Sequence, residues 1–294
     1  MKSLTVFTPT YNRSYTLGRL YESLATQTCM DFEWLVVDDG SSDNTKSLIE
    51  QYIKWNRFPI RYIYKENGGL YTTYNTAYAN TDTELSICID SDDYMPENAV
   101  ELILDKWQKD GSDKYCGIVG LDFYETTNQP IAGYFPDKLK ECYYLDLYQK
   151  NIHKGDCKLV MRTELMKRVI PQIGFPGEKF FNPVYMILQV CDDNPLLVLN
   201  ENLCYVGTDN NDRMSTNIWS QYRQSPRSFA KLRELEMGLK RSTLKNKFRT
   251  AIHYVADNLL AKNKDFFKDT RHKIPVVLSI VPGIFLFYLL KFKK

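Results

Sequence analysis

Three carboxylates stand within four residues at the end of an apolar run, in the segment Cys88-Ile89-Asp90-Ser91-Asp92-Asp93. Acids this close repel one another and are poorly suited to a hydrophobic core. A divalent cation would offset that repulsion, because Mg²⁺ and Mn²⁺ prefer carboxylate oxygens and keep coordination positions open for substrate phosphates. The alternative is a solvated acidic turn in which Asp92 or Asp93 caps the helix that Pro96 begins. The segment alone leaves both interpretations open.

The acidic segment ends a series of alternating strand and helix patterns. Short apolar runs predict strands over residues 4–8, 32–37, 60–64 and 85–89, and helical spacing predicts helices over 17–28, 45–54 and 70–79. This alternation predicts an α/β, Rossmann-like fold with a mixed, mainly parallel sheet flanked by helices. In such sheets ligands bind beyond the carboxyl ends of the strands.

Polar loops follow the predicted strands and therefore gather at one edge of the sheet: 10–14, 38–43, 66–69 and 90–93. Asp38 and Asp39 are placed to hydrogen-bond a base or ribose hydroxyls. The alternative is a turn followed by a helix cap at Asp43 or Asn44. A nucleoside diphosphate with a divalent cation accounts for the acidic cluster, because the cation stabilises the pyrophosphate as a leaving group. The sequence has no Gly-x-Gly-x-x-Gly or Walker lysine loop, which disfavours dinucleotide and P-loop chemistry.

Four motifs carry a resemblance to a known family: Thr8-Pro9-Thr10-Tyr11-Asn12-Arg13, Val37-Asp38-Asp39-Gly40-Ser41, Glu66-Asn67-Gly68-Gly69 and Asp90-Ser91-Asp92-Asp93. Their order and spacing over about residues 1–125 resemble the family 2 glycosyltransferases. The resemblance implies a GT-A fold, a nucleotide-sugar donor (commonly a UDP-sugar), an Mn²⁺ or Mg²⁺ ion, and inversion at the anomeric carbon. One departure is Tyr74-Asn75, where many members carry Ala-Arg-Asn, so an arginine contact to the donor is not implied there.

The resemblance also implies roles for individual residues. Donor-nucleotide contacts fall to Thr10, Tyr11, Asn12, Arg13, Asp39, Asn67 and Gly68, with Asp39 on the base. Asp92 would face the ribose or a donor phosphate. Asp93 is the strongest candidate for a metal ligand, with Asp92 and Asp90 assisting.

Inversion in one displacement requires a base that takes the proton of the acceptor hydroxyl. The segment Gly177-Glu178-Lys179-Phe180 is similar to one in some family members, which makes Glu178 the first candidate for that base. A further acid often follows in those relatives, whereas Asn182-Pro183 stands here. Asp156 is the second candidate, although its context is also typical of a turn. His153 is expected to be a structural surface histidine rather than a ligand of phosphate or metal.

Residues 196–205 predict a strand pair that leads into a polar loop over residues 207–215. In this loop Arg213 is a candidate for a charge-assisted contact with the donor pyrophosphate. An inert loop is the alternative.

Charge and cysteine content suggest where the chain works. The chain has 38 Lys and Arg against 36 Asp and Glu, but Arg227–Lys294 holds 16 basic and 5 acidic residues, which leaves 22 and 31 elsewhere. A basic segment suits an anionic surface, and here we expect a membrane and no nucleic acid. Seven cysteines without Cys-x-x-Cys spacing favour a reducing compartment over disulfides or zinc. The N-terminus has no apolar signal-peptide core, so export is not expected.

An apolar run over residues 274–290 is interrupted only by Pro275, Ser279, Pro282 and Gly283. It is at the lower limit for spanning a bilayer, and its Pro-Gly pair is expected to break a helix. A helix in the membrane interface or a re-entrant hairpin fits better, and the flanking lysines favour anionic lipid on the cytoplasmic side. The alternatives are a buried C-terminal helix and a dimer contact, which leaves an oligomer open.

The predicted architecture is a GT-A catalytic domain over residues 1–225, divided into a nucleotide-sugar-binding half (1–110) and an acceptor-binding half (111–225). A C-terminal helical membrane-associating extension over 226–294 follows. The predicted function is metal-dependent inverting transfer of a sugar from a nucleotide-sugar to a saccharide or polyprenyl-diphosphate-linked acceptor, in the synthesis of a cell-surface polysaccharide. The alternatives are an inactive nucleotide-sugar-binding or scaffold protein and a nucleotidyltransferase, whose lysine-bearing phosphate loop is missing.

Overall fold

A computed structural model describes residues 2–207 and 218–292. Within these residues one nine-stranded sheet packs between helices on both of its faces, and further helices follow the last strand. The strands are β1 (Leu4–Thr10), β2 (Phe32–Asp38), β3 (Ile60–Tyr64), β4 (Leu85–Cys88), β5 (Gly117–Tyr124), β6 (Gln129–Pro130), β7 (Glu141–Cys142), β8 (Cys157–Arg162) and β9 (Leu196–Val206).

The helices around the sheet are α1 (Leu17–Ala25), α2 (Thr45–Trp55), α3 (Leu70–Ala79), α4 (Ala99–Asp110), α5 (Tyr144–Gln149), α6 (Thr163–Lys167) and α7 (Val184–Cys191). The helices after the sheet are α8 (Ile218–Gln224), α9 (Pro226–Gly238), α10 (Leu244–Leu260), α11 (Phe266–Asp269), α12 (Lys273–Leu278) and α13 (Ile280–Phe292).

The strand order is β3-β2-β1-β4-β8-β5-β9-β7, with β6 paired to β5. The strands β1 to β4 pair in parallel, as do β5 and β9, whereas β8 lies antiparallel between β4 and β5. Every residue of β1 is buried, as expected for a central strand covered on both faces. The predicted mixed, mainly parallel sheet flanked by helices is confirmed.

The predicted strand pair over residues 196–205 is wrong, because β9 is one strand of 11 residues. Polar residues in the middle of β9 bind a neighbouring loop and do not form a turn. The side-chain amide of Asn200 donates to the Phe135 carbonyl at 3.1 Å and accepts from the Phe135 N–H at 2.9 Å. The pairing of β9 with β5 changes register between Val119 and Leu121 and again between Leu121 and Asp122, as at a β-bulge.

The helices α9 and α13 both pack against α10. The packed side of α10 places Ala251 and Val255 in the core, whereas Leu244 at its start is 75% exposed. The predicted helix break at the Pro-Gly pair is also wrong: the helices separate at Ser279, and Pro282 lies in the first turn of α13, where its missing N–H costs nothing.

Gly283 lets α13 approach α10 closely, because a Cβ there would lie 2.6 Å from Cβ of Val255. None of the helices within residues 2–207 and 218–292 combines the length and apolar character needed to cross a membrane. The division of the chain at residue 225 stays a prediction.

Candidate functional site

Hydrogen bonds join the loops that follow β1, β2, β3 and β4 at one edge of the sheet. The Arg13 guanidinium contacts Oδ2 of Asp92 at 3.0 Å, so the first loop is tied to the acidic loop. Oδ1 of Asn12, a residue with a positive φ of 51°, accepts from the backbone N–H of Ser42 at 2.8 Å. The predicted gathering of these loops is therefore observed, and it forms one polar surface from segments 79 residues apart in sequence.

The two aspartates that end and follow β2 have different surroundings. Asp38 is fully buried and closes the turn: its Oδ1 accepts from the Ser41 N–H at 2.8 Å and its Oδ2 from the Tyr62 hydroxyl at 2.6 Å. Asp39 instead accepts from the backbone N–H groups of Gly68 and Gly69, at 2.9 and 2.8 Å. Asp38 is thus part of the turn, whereas Asp39 fixes the loop after β3.

The remaining residues predicted to contact the nucleotide lie on the same edge. Tyr11 is half exposed, while Thr10 is buried and its hydroxyl has no hydrogen-bond partner among the described residues. The side-chain amide of Asn67 donates to the Asp39 carbonyl at 2.9 Å, and its oxygen accepts from Lys179 at 2.8 Å. Arg213 lies outside the described residues.

The three carboxylates of the acidic loop sit at different depths. Asp90 is exposed, Asp92 is paired with Arg13, and Asp93 is buried. Oδ1 of Asp93 accepts from the backbone N–H of Gly207 at 3.1 Å, and its Oδ2 lies 3.9 Å from Nζ of Lys158. Burial raises the pKa of Asp93 to about 7; Lys158 opposes this rise, and the neighbouring Asp90 and Asp92 add to it. A deprotonated Asp93 is therefore costly unless more positive charge is present.

Sequence reasoning missed a second charged pair beneath this loop. Nζ of Lys158 on β8 lies 3.6 Å from Oδ1 of Asp122 on β5. Asp122 is buried, and burial raises its pKa to about 6 against the effect of Lys158, with Asp156 and Asp90 adding to the rise. The only signal in the sequence was a charged residue inside each of two mostly apolar strands.

The donor atoms suit a magnesium or manganese ion. Within the part of the chain that the structure describes, no group of three or more His, Cys, Asp or Glu side chains forms a complete metal cage. Such a cage is not required, because Mg²⁺ is usually held by one or two carboxylates together with substrate phosphates and water. The uncompensated charge around Asp93 and the exposed Asp90 carboxylate fit a hard divalent cation.

The two candidates for the catalytic base have opposite environments. Both carboxylate oxygens of Glu178 accept hydrogen bonds at the N-terminus of α9, from the backbone N–H groups of Arg227 and Ser228 at 3.0 and 2.8 Å and from the Ser228 hydroxyl at 2.8 Å. The carboxylate of Asp156 is exposed and makes no hydrogen bond or ion pair with another described residue. Asp156 also lies near enough to Asp122 to raise the pKa of that buried acid.

The expectation of a surface histidine at position 153 is wrong. Only 3% of His153 is exposed, and its ring packs 4.8 Å from that of Phe135. Nε2 of His153 lies 3.2 Å from the backbone oxygen of Asp156, so this histidine helps to shape the turn that presents Asp156.

The family model described as "Glycosyl transferase family 2" matches residues 5–168. Chondroitin synthase of Escherichia coli is 35% identical over 107 residues, which are 36% of this chain and 16% of that protein. Poly(ribitol-phosphate) beta-N-acetylglucosaminyltransferase TarP of Staphylococcus aureus is 31% identical over 126 residues, which are 42% of this chain and 38% of that protein. The chain therefore spans well under half the length of both curated relatives.

Solved structures with low sequence identity have a similar fold. The structure of S. aureus TarS 1–349 in complex with UDP-GlcNAc matches 99% of this chain and 81% of its own, with a TM-score of 0.65 and 19% identity. The mannosyltransferase PcManGT from Pyrobaculum calidifontis, in complex with GDP-Man and Mn²⁺, matches 96% of this chain and 87% of its own, with a TM-score of 0.53 and 15% identity.

Proposed function

Because the chain belongs to glycosyl transferase family 2 and has the GT-A fold, we propose that it is a metal-dependent inverting glycosyltransferase. It would transfer a sugar from a nucleotide-sugar, with UDP-sugars as the first class to test, to a saccharide or polyprenyl-diphosphate-linked acceptor. The product would be a cell-surface polysaccharide, since the two curated relatives named above are a chondroitin synthase and a poly(ribitol-phosphate) glycosyltransferase.

The observation that supports this proposal most is that hydrogen bonds join the loops after β1, β2, β3 and β4. These loops carry both exposed and buried carboxylates. Arg13, Asn12 and Asp39 hold the loops in place, and Asp90 to Asp93 contribute the negative charge. A nucleoside diphosphate needs both a base-binding loop and a cation-binding carboxylate, and this edge offers the two together.

Different residues would bind the nucleoside and the diphosphate of the donor. Asp39, Asn67 and the neighbouring first loop would bind the nucleoside, because Asp39 already orders the backbone around it. Asp93, assisted by Asp90 and Asp92, would hold a divalent cation. When bound, that cation supplies Lewis-acid stabilisation to the departing diphosphate. UDP-GlcNAc in TarS and GDP-Man with Mn²⁺ in PcManGT support this choice of donor class and cation.

Asp156 is the base that the contacts favour. A general base must reach the acceptor hydroxyl with a free lone pair, and the Asp156 carboxylate is exposed. Glu178 already accepts hydrogen bonds on both oxygens from α9, so its placement supports a helix-capping role. In this proposal Asp156 would accept the proton of the incoming hydroxyl while the diphosphate leaves.

A donor panel tests the proposed activity. UDP-, GDP- and dTDP-sugars would be incubated with the purified chain and Mn²⁺ or Mg²⁺, and release of the nucleoside diphosphate would be measured. We expect turnover with one nucleotide class, loss of turnover with EDTA, and recovery when the divalent cation is restored, because the carboxylates cannot replace the cation on the diphosphate.

The alternatives give different results in the same panel. Tight nucleotide binding without turnover, even with saccharide acceptors present, would indicate a nucleotide-sugar-binding or scaffold protein. Release of inorganic pyrophosphate from a nucleoside triphosphate would indicate a nucleotidyltransferase. Turnover that persists unchanged in EDTA would contradict the proposed metal dependence.

We also propose that the chain works as a peripheral or monotopic protein at the cytoplasmic side of the cell membrane, bound through α12 and α13. The exposed apolar side chains Val281, Phe285 and Phe292, at 79%, 68% and 68% exposure, lie on one side of α13. Ile274 and Leu278 extend this row along α12, at 73% and 64% exposure. A contiguous apolar surface of this kind marks an interaction site.

The opposite side of α13 lies against the protein. Gly283 and Leu290 are buried there, and the Arg223 guanidinium donates to the Leu290 carbonyl at 3.0 Å. A helix held in this way presents one apolar face in the plane of a membrane, and Lys273 and Lys291 at its ends suit anionic headgroups.

Flotation with vesicles tests this surface. Val281→Glu with Phe285→Glu is expected to weaken binding to phosphatidylglycerol-containing vesicles by roughly 100-fold, given about 1.5 kcal/mol or more for each large apolar side chain withdrawn from the membrane. Ile53→Glu, which changes an exposed apolar residue on α2, is the matched control and should float like the wild type. Unchanged flotation of the double variant, with a smaller particle mass in light scattering, would show that the row is a dimer contact.

A further inference from the structure

The ammonium group of Lys158 lies beside Asp93, the proposed metal anchor, and its contacts with other described residues are two long ion pairs. Only 12% of the Lys158 side chain is exposed. Its Nζ lies 3.6 Å from Oδ1 of Asp122 and 3.9 Å from Oδ2 of Asp93, which are ion-pair distances beyond the 2.7–3.2 Å range of a hydrogen bond. None of its three N–H groups donates to another residue within 2–207 or 218–292.

A largely buried ammonium held only by long ion pairs is costly, because these contacts replace its lost water incompletely. The same is true of its partner, since Oδ1 of Asp122 is buried and has no hydrogen bond among the described residues. Charged groups buried in this state are usually completed by water, an ion or a ligand. The ammonium group of Lys158 therefore has capacity for a further acceptor.

The position of Lys158 follows from the sheet. Strand β8 lies antiparallel between β4, which leads into Asp90–Asp93, and β5, which carries Asp122. The lysine is thereby placed between carboxylates from both neighbours, and these carboxylates hold its long side chain in one place. The other carboxylate oxygen of Asp93, Oδ1, accepts a hydrogen bond from the Gly207 N–H. Contacts on both oxygens therefore hold this carboxylate in place.

We propose that Lys158 is a donor-binding residue whose ammonium group donates hydrogen bonds to a phosphate oxygen of the nucleotide donor. This rests on the proposed function, since it takes the ligand to be a nucleoside diphosphate or its sugar ester. A phosphate oxygen is an anionic acceptor and would supply the hydrogen bonds that Asp93 and Asp122 do not. Lys158 would also place a fixed positive charge next to the leaving diphosphate.

The competing explanation is that Lys158 serves only as a counter-ion for Asp93 and Asp122. The two explanations differ in what the lysine recognises. A counter-ion affects the diphosphate by offsetting the charge of Asp93 and Asp122, so Asp122→Asn should largely reverse the effect of removing it, whereas the loss of a donor ligand persists in that background. Neither has a reason to change the binding of a nucleoside that lacks phosphates.

Calorimetry on the full chain separates them. UDP, GDP, uridine and guanosine would be titrated into the wild type and Lys158→Met, each in EDTA and in Mn²⁺. We expect Lys158→Met to weaken binding of the preferred diphosphate by about 10- to 100-fold in both conditions, the loss of a charged hydrogen bond, and to leave the matching nucleoside unaffected. Lys158→Arg, which keeps the charge, should retain most of the affinity.

A second lysine that is paired with an aspartate provides the matched control. Lys106→Met removes a lysine that is also paired with an aspartate, Asp110, but on α4, and should bind like the wild type. Lys158→Gln gives the same comparison if Lys158→Met does not fold by circular dichroism. A loss seen only in Mn²⁺, a loss that Asp122→Asn reverses, an equal loss for nucleoside and diphosphate, or unchanged affinity would overturn the assignment. Wild-type protein that binds none of the nucleotides would instead contradict the proposed function.

Discussion

Asparagine in place of Asp93 is expected to lower donor turnover about 10³-fold, the equivalent of ~4 kcal/mol in the barrier. Asp93 is the most buried carboxylate of the acidic loop, and Asn keeps its shape and its contact with the Gly207 N–H while removing the charge. Without that charge the cation would lose its anchor, and the diphosphate would leave with its negative charge less well compensated. Donor turnover at saturating Mn²⁺ and Mn²⁺ affinity by electron paramagnetic resonance are the measurements.

The neighbouring aspartates provide graded comparisons for this result. Asp92→Asn removes the ion pair with Arg13 and is expected to reduce donor affinity, with a smaller effect on Mn²⁺ binding. Asp105→Asn changes an exposed carboxylate on α4 that makes no hydrogen bond or ion pair with another described residue, and should leave both measurements unchanged. Wild-type turnover and Mn²⁺ affinity in Asp93→Asn would rule out Asp93 as the metal anchor.

The parts of this site that the sequence predicted are those with local signatures. The strands before the four loops are short apolar runs followed by polar or turn-forming residues, so their ends could be located to within two residues, although β1 runs through Pro9 to Thr10. Gly69 shows why one of these motifs needs glycine: its φ is 93°, and a Cβ there would lie 1.9 Å from the carbonyl oxygen of Lys179. Parallel pairing then brings the loops together without further information.

The parts that the sequence did not predict depend on contacts between distant segments. Lys158 lies near Asp93 because β8 pairs antiparallel with both β4 and β5. The residues of these strands contain no local signal that predicts this pairing. Glu178 lies in a familiar motif, but its hydrogen-bond donors come from Arg227 and Ser228, about 50 residues later. A motif identifies a segment, whereas the role of its side chains depends on which other segment packs against it.

The two candidates for the base give the second large prediction. Asp156→Asn is expected to lower kcat by about 10²- to 10⁴-fold, because a positioned general base contributes that much to proton transfer. Nucleotide affinity should stay at the wild-type value, since the residue would act on the acceptor hydroxyl. Turnover with water or a saccharide acceptor, together with UDP or GDP affinity, distinguishes a chemical defect from a binding defect. Asp137→Asn, an exposed acid in the same half of the chain, is the matched control.

Glu178→Gln is expected to behave in the opposite way, with kcat near wild type and a free energy of unfolding lower by about 1–2 kcal/mol, because a charged cap is lost at the N-terminus of α9. Chemical denaturation and donor turnover measured on the same preparation separate the two roles. If Glu178→Gln is stable but has little turnover while Asp156→Asn remains active, the catalytic base is Glu178. That outcome would also require the N-terminus of α9 to release the carboxylate when the acceptor binds, since the hydrogen bonds from Arg227 and Ser228 now hold both of its oxygens.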